Sequence, residues 1–593
     1  MSGNQDSAHV LFEQEAASIR SIIYDLINGG NTEAAKQVLE QYSLLNPTDP
    51  ELITIKSMLY FDGSAKAVEA AIPDEYGILN GIETVFILSG IITRRTGYID
   101  SVLRKIKLME DMWNYKPLLL TCIHNIDNHQ ALTWLKTADG DQASIGANTR
   151  IQNVFEYFQG SYAEGLSNIA VYAPVDDGNR YVEVSDGVFE VYANDVCIRK
   201  EHYSGYAGSL RMVRHYSGEK KVSDTFFDEW GYLNYVREYD PKDENRFGDK
   251  YYTTGGDLCI EAFYECKDDG CREELLVVYD TDGKALKKCK GSAELAAFFL
   301  EKIITDDKFY LLVVEDGLMS KAATMISSGR KNVAKCAVVH SIFLNDAYDL
   351  KSDPQMYYKY LCENHKEFDG IVMLTDSARE DFLSIYGERE NIFVIPHPYP
   401  YEISQPDFKE RDPLKAAIVA RLDPLKQVVF AVDIFSDVVK EVPEAKLEIF
   451  GRGSEEENIR KRIKELGLES NITFMGYTDE PLSAFRSAAL SIFTSAAEGF
   501  GLTLVESICN GCPAFAFDIK YGPSEIIIDG QTGFLIPRFD KELFARKLLE
   551  FFKDEKMRQK MSENCYADTK RFSTDKFMDN WFDMTGHMRI CYE

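Results

Sequence analysis

The 593-residue sequence lacks the features that mark membrane-spanning or nucleic-acid-binding proteins. No apolar run reaches the length of about 18 residues that spans a bilayer. Positive charge is scarce, because 66 Lys and Arg stand against 96 Asp and Glu, a formal net charge of −30. No nucleic-acid partner is therefore expected, although local basic patches for an anionic acceptor are compatible with this balance. The amino terminus has no charged segment followed by an apolar core, so no signal peptide is predicted.

Paired cysteine motifs are lacking as well. The twelve cysteines are scattered and lie mostly in apolar runs, as at Cys122, Cys336 and Cys362, which is typical of small apolar residues in a reducing compartment. Cys509 and Cys512 have C-x-x-C spacing, but no second pair completes a zinc site. We interpret them as a helix end and a strand start. The protein is expected in the cytoplasm, with a peripheral position at the inner face of the cell membrane as an alternative.

What the chain does have is a strand–loop–helix–strand pattern within Ser491–Pro537. The pattern predicts a buried strand at Leu490–Thr494, a helix over Leu502–Asn510 ended by Gly511, and a further strand at Ala514–Phe517. Such a unit is the building block of a parallel sheet.

The loop before this helix suits a phosphorylated, hydroxyl-rich ligand. Gly499 and Gly501 allow the backbone to approach a ligand closely, and the helix N-terminus offers free amides and a positive dipole end. Glu498 lies where open α/β sheets bind ligands, and Glu506 follows within the first two helical turns. Their carboxylates can accept hydrogen bonds from sugar hydroxyls. The alternative is that Glu498 is a surface loop charge and Glu506 part of a solvated helix face.

This segment resembles the donor-sugar site of retaining GT-B glycosyltransferases of family 4. The residues that carry the resemblance are Glu498–Leu502, Glu506, Gly511–Pro513, Gly522–Glu525 and Gly530–Leu535. The stretch Phe517–Pro523 is similar to one subgroup, which glucosylates poly(polyol-phosphate) teichoic acids or attaches N-acetylglucosamine to serine-rich surface adhesins.

The resemblance implies a role for several residues. Arg421 and Lys426 would bind the donor diphosphate, Glu498 the hydroxyls of the donor sugar and Glu506 those of the ribose. His340, at a strand end, would contact the donor sugar, although a lone histidine there is also consistent with a structural role. The implied catalytic set is Glu498, Arg421 and Lys426. The implied donor-binding set is Glu506, Gly499, Phe500, Gly501, Leu502, His340, Gly97, Gly453 and Tyr477.

One of these positions departs from the family pattern. Related enzymes carry a glycine pair in the first loop of the N-terminal domain, whereas the loop Arg94–Gly97 keeps only Gly97. Arg94 and Arg95 are candidates to supply positive charge there instead, and the alternative is that they are surface arginines beside a turn.

The predicted fold is α/β of the GT-B type, with two Rossmann-like domains facing a cleft. Helical spacing predicts an N-terminal extension over 1–80 with one tetratricopeptide-like helix pair, either packed on the catalytic body or binding a peptide. The predicted domains are an N-terminal Rossmann-like acceptor domain at 81–153 and 284–412, a β-rich insert at 154–283, a C-terminal nucleotide-sugar domain at 413–570, and a C-terminal helix at 571–593 that crosses back.

Short alternating segments and Asp-Gly turns predict the β-rich insert. The strands expected there are Tyr181–Val184, Val188–Tyr192, Arg211–Tyr216, Leu233–Tyr239 and Leu275–Tyr279. By resemblance the insert would bind the acceptor, or join the chain to a second copy or a partner subunit, and its aromatic residues also fit a sandwich core.

The function implied is transfer of a hexose from UDP-glucose or UDP-N-acetylglucosamine to a bacterial surface polymer or adhesin hydroxyl. The resemblance implies retention at the anomeric carbon, no bound cofactor and no metal ion. One alternative is a non-catalytic GT-B subunit that binds acceptor and supports another glycosyltransferase; another is a sugar-nucleotide epimerase on the same fold.

Overall fold

In the computed structural model, the described residues are 19, 22–23, 26, 34–39, 74–91, 97–126, 145, 149–160, 178–203, 210–228, 231–267, 270–326, 330–405, 408–478 and 480–592. Most of the predicted N-terminal helical extension and both Arg94 and Arg95 lie outside them. Within the extension, residues 34–39 are helical, in agreement with the helix predicted there.

The chain divides into two compact units. The first holds residues up to 77, 81–312 and 319–330, and the second holds 78–80, 313–318 and 331–593. These divisions differ from the domain boundaries predicted above, which stay predictions. Short 3-10 turns occur at Asp74–Leu79, Gly317–Met319, His365–Glu367, Phe408–Glu410, Pro424–Lys426 and Thr569–Phe572.

The first unit combines parallel strands with a large antiparallel sheet. Its helices are α1 (Gly97–Trp113), α2 (Val154–Gln159), α3 (Ser292–Ile303) and α4 (Ser320–Thr324). Its strands are β1 (Ile82–Leu88), β2 (Leu118–Thr121), β3 (Arg150–Asn153), β4 (Arg180–Ser185), β5 (Val188–Ala193), β6 (Val196–Tyr203), β7 (Leu210–Ser217), β8 (Lys220–Phe227), β9 (Leu233–Tyr239), β10 (Arg246–Tyr252), β11 (Leu258–Lys267), β12 (Gly270–Tyr279), β13 (Ala285–Cys289) and β14 (Phe309–Val314). The boundary between the units falls within β14.

Strands β1, β2 and β3 pair in parallel, with Val85 opposite Leu118 and Leu118 opposite Arg150. Strands β4 to β13 form one ten-stranded sheet in which neighbours in sequence are neighbours in space, joined by antiparallel hairpins. The alternating segments and the turn at Asp186–Gly187 therefore predicted the right architecture, and each of the five predicted insert strands is present.

Five strands of this sheet escaped the prediction, namely β6, β8, β10, β11 and β13. They are rich in Lys, Arg, Glu and Asp, which mask the apolar alternation that marks a strand. The strands form one sheet rather than the two layers of a sandwich. A disulfide joins Cys266 to Cys271, which lie directly opposite each other on β11 and β12. The scattered cysteine pattern had instead predicted free thiols.

The second unit contains two sets of parallel strands. Its strands are β15 (Val333–Val339), β16 (Gly370–Met373), β17 (Ile392–Val394), β18 (Asp412–Val419), β19 (Lys446–Phe450), β20 (Ile472–Gly476), β21 (Ala488–Phe493), β22 (Ala514–Asp518) and β23 (Gly533–Pro537). Its helices are α5 (Lys359–Glu363), α6 (Asp376–Tyr386), α7 (Val428–Glu441), α8 (Glu456–Glu465), α9 (Pro481–Ser487), α10 (Leu502–Cys509), α11 (Pro523–Ile526), α12 (Lys541–Lys553), α13 (Glu555–Asp568) and α14 (Thr574–Ile590).

Strands β15, β16 and β17 pair in parallel, and the other six form a parallel sheet in the order β20–β19–β18–β21–β22–β23. One apolar cluster packs α7, α8 and α12 against this six-stranded sheet, and a second packs α10 against its other face. Because both faces are covered, the strands are nearly continuous apolar runs, which is why the sequence predicted β21 and β22 well. The last helix, α14, contacts β16 and β17 through Met588 and His587.

Candidate active site

The candidate site is built on two loops at the carboxyl ends of β18 and β21, which are neighbours in the six-stranded sheet. Thr494, just after β21, donates its hydroxyl to the carbonyl oxygens of Lys426 and Gln427 at 3.0 and 3.2 Å. The Ala496 amide donates to the Leu425 carbonyl at 2.7 Å. These bonds hold the loop that follows β18 against the loop that carries Glu498.

Lys426 and Glu498 form an ion pair across the two loops. The Lys426 ammonium nitrogen lies 2.5 Å from the Glu498 carboxylate, and their side chains are only 17% and 13% exposed. The two residues are 72 positions apart in sequence. The fold nevertheless brings Lys426, predicted to bind phosphate, into direct contact with Glu498, predicted to bind the sugar. A pair that is so poorly hydrated interacts more strongly than a surface ion pair, because the local dielectric is lower.

Arg421 has a different environment. Its guanidinium lies 3.1 Å from the Asp423 carboxylate, and its side chain is 72% exposed. Asp423 also accepts the Leu425 amide at 3.1 Å, so this loop begins with a capped turn. The two predicted diphosphate ligands therefore lie on one short loop, with Arg421 able to reorient in solvent and Lys426 held in place.

Gly499 and Gly501, in the loop that carries Glu498, are each favoured over other residues for a different physical reason. A Cβ on Gly499 would stand 2.5 Å from the His340 carbonyl oxygen, so only glycine lets the loop lie against the end of β15. Gly501 has φ +107°, which disfavours other residues, and it is the residue before α10. Helix α10 begins at Leu502 as predicted, and its first amides follow the Glu498 loop directly.

Glu506 lies on the second turn of α10 and is half-buried. Its backbone carbonyl accepts hydrogen bonds from Asn510, so the helix continues regularly beneath it. The helix ends at Cys509, and Gly511 follows with φ +66°, in agreement with the predicted helix end. Cys509 is the last residue of α10 and Cys512 lies just before β22, as interpreted from the sequence. Both are separate buried thiols, and burial raises the pKa of Cys509 to about 12.

His340 follows β15 and is held on several sides. Its backbone amide and that of Ser341 both donate to the Tyr358 hydroxyl at 3.1 Å. Its ring nitrogen Nε2 lies 2.7 Å from a carboxylate oxygen of Glu315. The ring stacks on His397 at 5.5 Å with 9° between the planes, and His397 meets the edge of Phe500 at 5.6 Å. Phe500, predicted only as part of the donor loop, thus links that loop to His340.

Tyr477 and Gly453 lie at the ends of neighbouring strands, β20 and β19. Tyr477 is 62% exposed, which leaves its ring available for stacking, and the Arg452 guanidinium lies 5.9 Å from the ring centre. Gly453 packs against the backbone of Leu422, in the loop that carries Arg421. This arrangement is compatible with the predicted donor-binding role of Tyr477.

Gly97 is the first residue of α1 and belongs to the first unit. The structure therefore brings together eleven of the twelve predicted site residues in the second unit, at the ends of its strands and at the start of α10. The predicted contribution of the Gly97 loop stays a prediction.

Sequence reasoning missed Glu315, Tyr358 and His397 as neighbours of the site. Glu315 follows β14 directly, and a polar residue at a strand end was the available signal. Glu525, named above only as part of Gly522–Glu525, accepts the Asp376 and Ser377 amides at 2.8 Å and so caps α6.

Within the described residues, no group of three or more His, Cys, Asp or Glu side chains is arranged to hold a metal ion. Independence from metal stays a prediction. None of the described helices has both the length and the apolar character needed to cross a membrane.

Comparison with known proteins places this geometry in context. Residues 402–568 match the protein family described as glycosyl transferases group 1. A poly(glycerol-phosphate) alpha-glucosyltransferase of Bacillus subtilis is 26% identical over 84% of this chain and 74% of its own length. A poly(ribitol-phosphate) alpha-N-acetylglucosaminyltransferase of Staphylococcus aureus is 24% identical over 75% of this chain and 88% of its own length.

Solved structures agree on the fold. A point mutant of S. aureus TarM, in complex with Fondaparinux, alpha-GlcNAc-glycerol and UDP, superimposes with a TM-score of 0.71 at 22% identity, covering 85% of this chain and 99% of that one. A GtfA/B complex gives a TM-score of 0.67 at 18% identity over 86% of this chain and 99% of that one. The chain therefore has the GT-B fold, with a large antiparallel insert, and is related to glycosyltransferases over most of its length.

Proposed function

We propose that this protein is a retaining glycosyltransferase that moves glucose or N-acetylglucosamine from a UDP-sugar to a hydroxyl group of a bacterial surface polymer or adhesin. The observation that carries the proposal is the half-buried Lys426–Glu498 pair just before the N-terminus of α10. It joins a cation suited to phosphate and a carboxylate suited to sugar hydroxyls at one point, beside the start of a helix.

Binding of the donor follows from these positions. The diphosphate would replace Glu498 as the partner of Lys426, and exposed Arg421 would turn from Asp423 toward the same phosphates. The amides that open α10 would donate to the phosphate oxygens. Released from Lys426, the Glu498 carboxylate would accept hydrogen bonds from the sugar, while Glu506 would bind the ribose and Tyr477 would stack on the base.

Catalysis would rest on the charge that develops on the leaving UDP. Lys426, Arg421 and the α10 amides are placed to stabilise it, and such prearranged groups supply the largest share of many rate accelerations. By resemblance to the family, the leaving phosphate would take the proton of the acceptor hydroxyl, with attack on the same face of the sugar. The anomeric configuration of the UDP-sugar would then be kept.

The acceptor class rests on the relatives. Those named above act on poly(glycerol-phosphate) and poly(ribitol-phosphate), and another, of Streptococcus gordonii, is a UDP-N-acetylglucosamine--peptide N-acetylglucosaminyltransferase GtfA subunit with 24% identity over 64% of this chain. The second candidate is a non-catalytic subunit, and the GtfA/B complex supports only the association of such a fold with a partner subunit. Retention of Arg421, Lys426, Glu498 and Glu506 favours the catalytic role.

The test is sugar transfer from UDP-glucose and UDP-N-acetylglucosamine to polyol-phosphate polymers and to a serine-rich peptide. We expect an α-linked product, recognised by its anomeric proton coupling in NMR. Glu498→Gln should lower turnover about 10²-fold, because orientation of the sugar is lost, while UDP affinity should not fall, because Lys426 is released from its ion pair. Glu448→Gln is the matched control, since Glu448 on β19 forms a comparable half-buried pair with Lys415 on β18 at 3.4 Å.

Three outcomes would contradict the proposal. A β-linked product would refute retention, unchanged turnover in Glu498→Gln would remove this residue from the site, and conversion of the UDP-sugar to its epimer without an acceptor would favour the epimerase alternative. Absence of any turnover with intact UDP binding would favour the non-catalytic subunit.

A further inference from the structure

Glu315 is a buried carboxylate beside the candidate site with no role assigned by sequence reasoning. It follows the last residue of β14, and its side chain has no exposed surface. Its carboxylate oxygen Oε2 lies 2.7 Å from Nε2 of His340, whose side chain is 6% exposed. Burial of a carboxylate is costly unless a hydrogen-bonding partner compensates it, so this contact is a built feature and not a surface encounter.

The contact determines the state of the His340 ring. An ionised carboxylate can only accept hydrogen bonds, so a bond to Glu315 requires the hydrogen of His340 to be on Nε2. The hydrogen bond at one ring nitrogen decides which tautomer a histidine adopts, and it also holds the plane of the ring. Without such a partner, an imidazole exchanges between tautomers and between ring rotamers.

The other neighbours of the His340 ring connect its orientation to the loop that carries Glu498. The ring lies parallel to His397 at 5.5 Å, and His397 meets the edge of Phe500, in the donor loop, at 5.6 Å. The His340 carbonyl is in close contact with Gly499, in the same loop. His340 is therefore packed against the loop that carries Glu498 in two ways, through its backbone carbonyl at Gly499 and through its ring by way of His397.

We propose that Glu315 is a positioning residue that holds His340 in the Nε2–H tautomer and in the orientation in which it meets the donor sugar. The contact with the sugar rests on the proposed function; the tautomer does not. Glu315 acts only through His340, so replacement of either residue affects the same step.

The first measurement is independent of activity. Histidine-selective ¹⁵N labelling of the full chain, with long-range ¹H–¹⁵N correlation, distinguishes Nε2–H from Nδ1–H, and the signal lost in His340→Gln assigns the residue. We expect Nε2–H in the wild type. In Glu315→Gln, the amide can either accept from Nε2 or donate to it, so we expect the single tautomer to be lost.

The second measurement is kinetic. Glu315→Gln should lower kcat by about 10- to 100-fold, as is typical for loss of a residue that orients a functional histidine, with a change in donor KM below about threefold. Asp316→Asn is the control, because Asp316 is the next residue and caps the Leu318 amide at 3.0 Å. It should leave both the tautomer and kcat unchanged.

The results separate the two proposals. Nδ1–H in the wild type, or kcat within twofold of wild type in Glu315→Gln, would overturn the role of Glu315. Failure of the wild type to transfer any sugar would instead overturn the proposed function, and the tautomer measurement would still decide the Glu315 contact. If Glu315→Gln does not fold, the wild-type tautomer alone remains decisive.

Discussion

The two large sheets of this protein use charged residues in opposite ways. In the six-stranded parallel sheet, strand β21 is buried at every residue, and charges such as Lys426 and Glu498 lie on the loops beyond the strand ends. In the ten-stranded antiparallel sheet, charges lie within the strands. Asp224 and Asp249 are almost fully buried there, at 1% and 0% exposure.

The buried carboxylates of the antiparallel sheet are matched across strands. Arg214, Asp224, Arg237 and Asp249 occupy directly opposite positions on β7, β8, β9 and β10, so charge alternates along one row. Arg214 contacts Asp224 through two nitrogens at 2.7 and 2.9 Å, and Asp249 is held by both Arg237 and Arg246. A one-residue slip would move each charge to the other face, so this row specifies register.

The difference shows that similar ion pairs serve different purposes. In the antiparallel sheet, Asp224 and Asp249 are already paired with arginines, so these ion pairs hold the strands together and are not positioned to exchange partners with a ligand. In the loops of the candidate site, the Lys426–Glu498 and Arg421–Asp423 pairs lie where a diphosphate would compete for their cations. The following predictions test this distinction, from the largest expected effect to the smallest.

Asp249→Ala should cost about 3–5 kcal/mol of stability in the antiparallel sheet, because it leaves Arg237 and Arg246 without their buried partner. Hydrogen exchange with mass spectrometry on the full chain should show lost protection in β9 and β10, with peptides from β18 to β23 unchanged. The control is Glu265→Ala, whose pair with Lys267 is exposed at both ends and should contribute at most about 1 kcal/mol. Equal losses in both variants would contradict a structural role for the buried row.

Lys426→Ala should lower turnover, because it removes about 2–4 kcal/mol of transition-state stabilisation. The variant should still fold. Arg421→Ala should fall at the lower end of this range, since its exposed side chain must reorient before it can act. The control is Lys440→Ala, which removes a 71% exposed lysine paired with Asp437 on α7. Wild-type turnover from either site variant at saturating donor would rule out its role with the diphosphate.

The antiparallel sheet should also weaken in mild acid. His124 packs among Phe155, Tyr235 and Tyr251, and burial, opposed by a hydrogen bond with Asn234, lowers its pKa from 6.5 to about 4. The folded state therefore resists protonation. The stabilisation of the fold by neutral His124 is fully present above pH 6.5 and is lost as the pH falls from 6.5 toward 4.

This pH effect is measurable by hydrogen exchange at about pH 7 and about pH 5, on either side of the unperturbed histidine pKa and corrected for intrinsic exchange rates. Protection around β9 and β10 should fall at the lower pH in the wild type. The charged groups that act on His124 are Asp249, Arg237 and Arg246. His124→Asn should remove the pH dependence, and an unchanged slope in that variant would refute the assignment.

Removal of divalent metals should have the smallest effect. If Lys426 and Arg421 stabilise the leaving diphosphate, a chelator should leave turnover within about twofold of the untreated enzyme. The same samples with added Mn²⁺ or Mg²⁺ serve as the control. An enzyme silenced by EDTA and restored by manganese would show that the two cations do not suffice.

Prediction from sequence succeeded where local pattern and structure agree. The apolar strands of the six-stranded sheet, the start of α10 at Leu502 and its end before Gly511 follow from short-range rules. The charged strands β6, β8 and β10 were missed, because charges such as Lys200, Asp224 and Lys250 are paired with residues on neighbouring strands and look solvent-exposed when each strand is considered alone.

Resemblance to the family supplied most of the residues predicted for the candidate site, whereas by itself the sequence determined the parallel α/β pattern and the antiparallel insert. It could do so because apolar periodicity, turn residues and glycines act over a few positions. The tertiary structure alone decided which of these residues meet: Lys426 with Glu498 over 72 positions and His340 with Glu315 over 25. Such contacts depend on strand order and loop packing, and both are set by burial of the whole core rather than by neighbours along the chain.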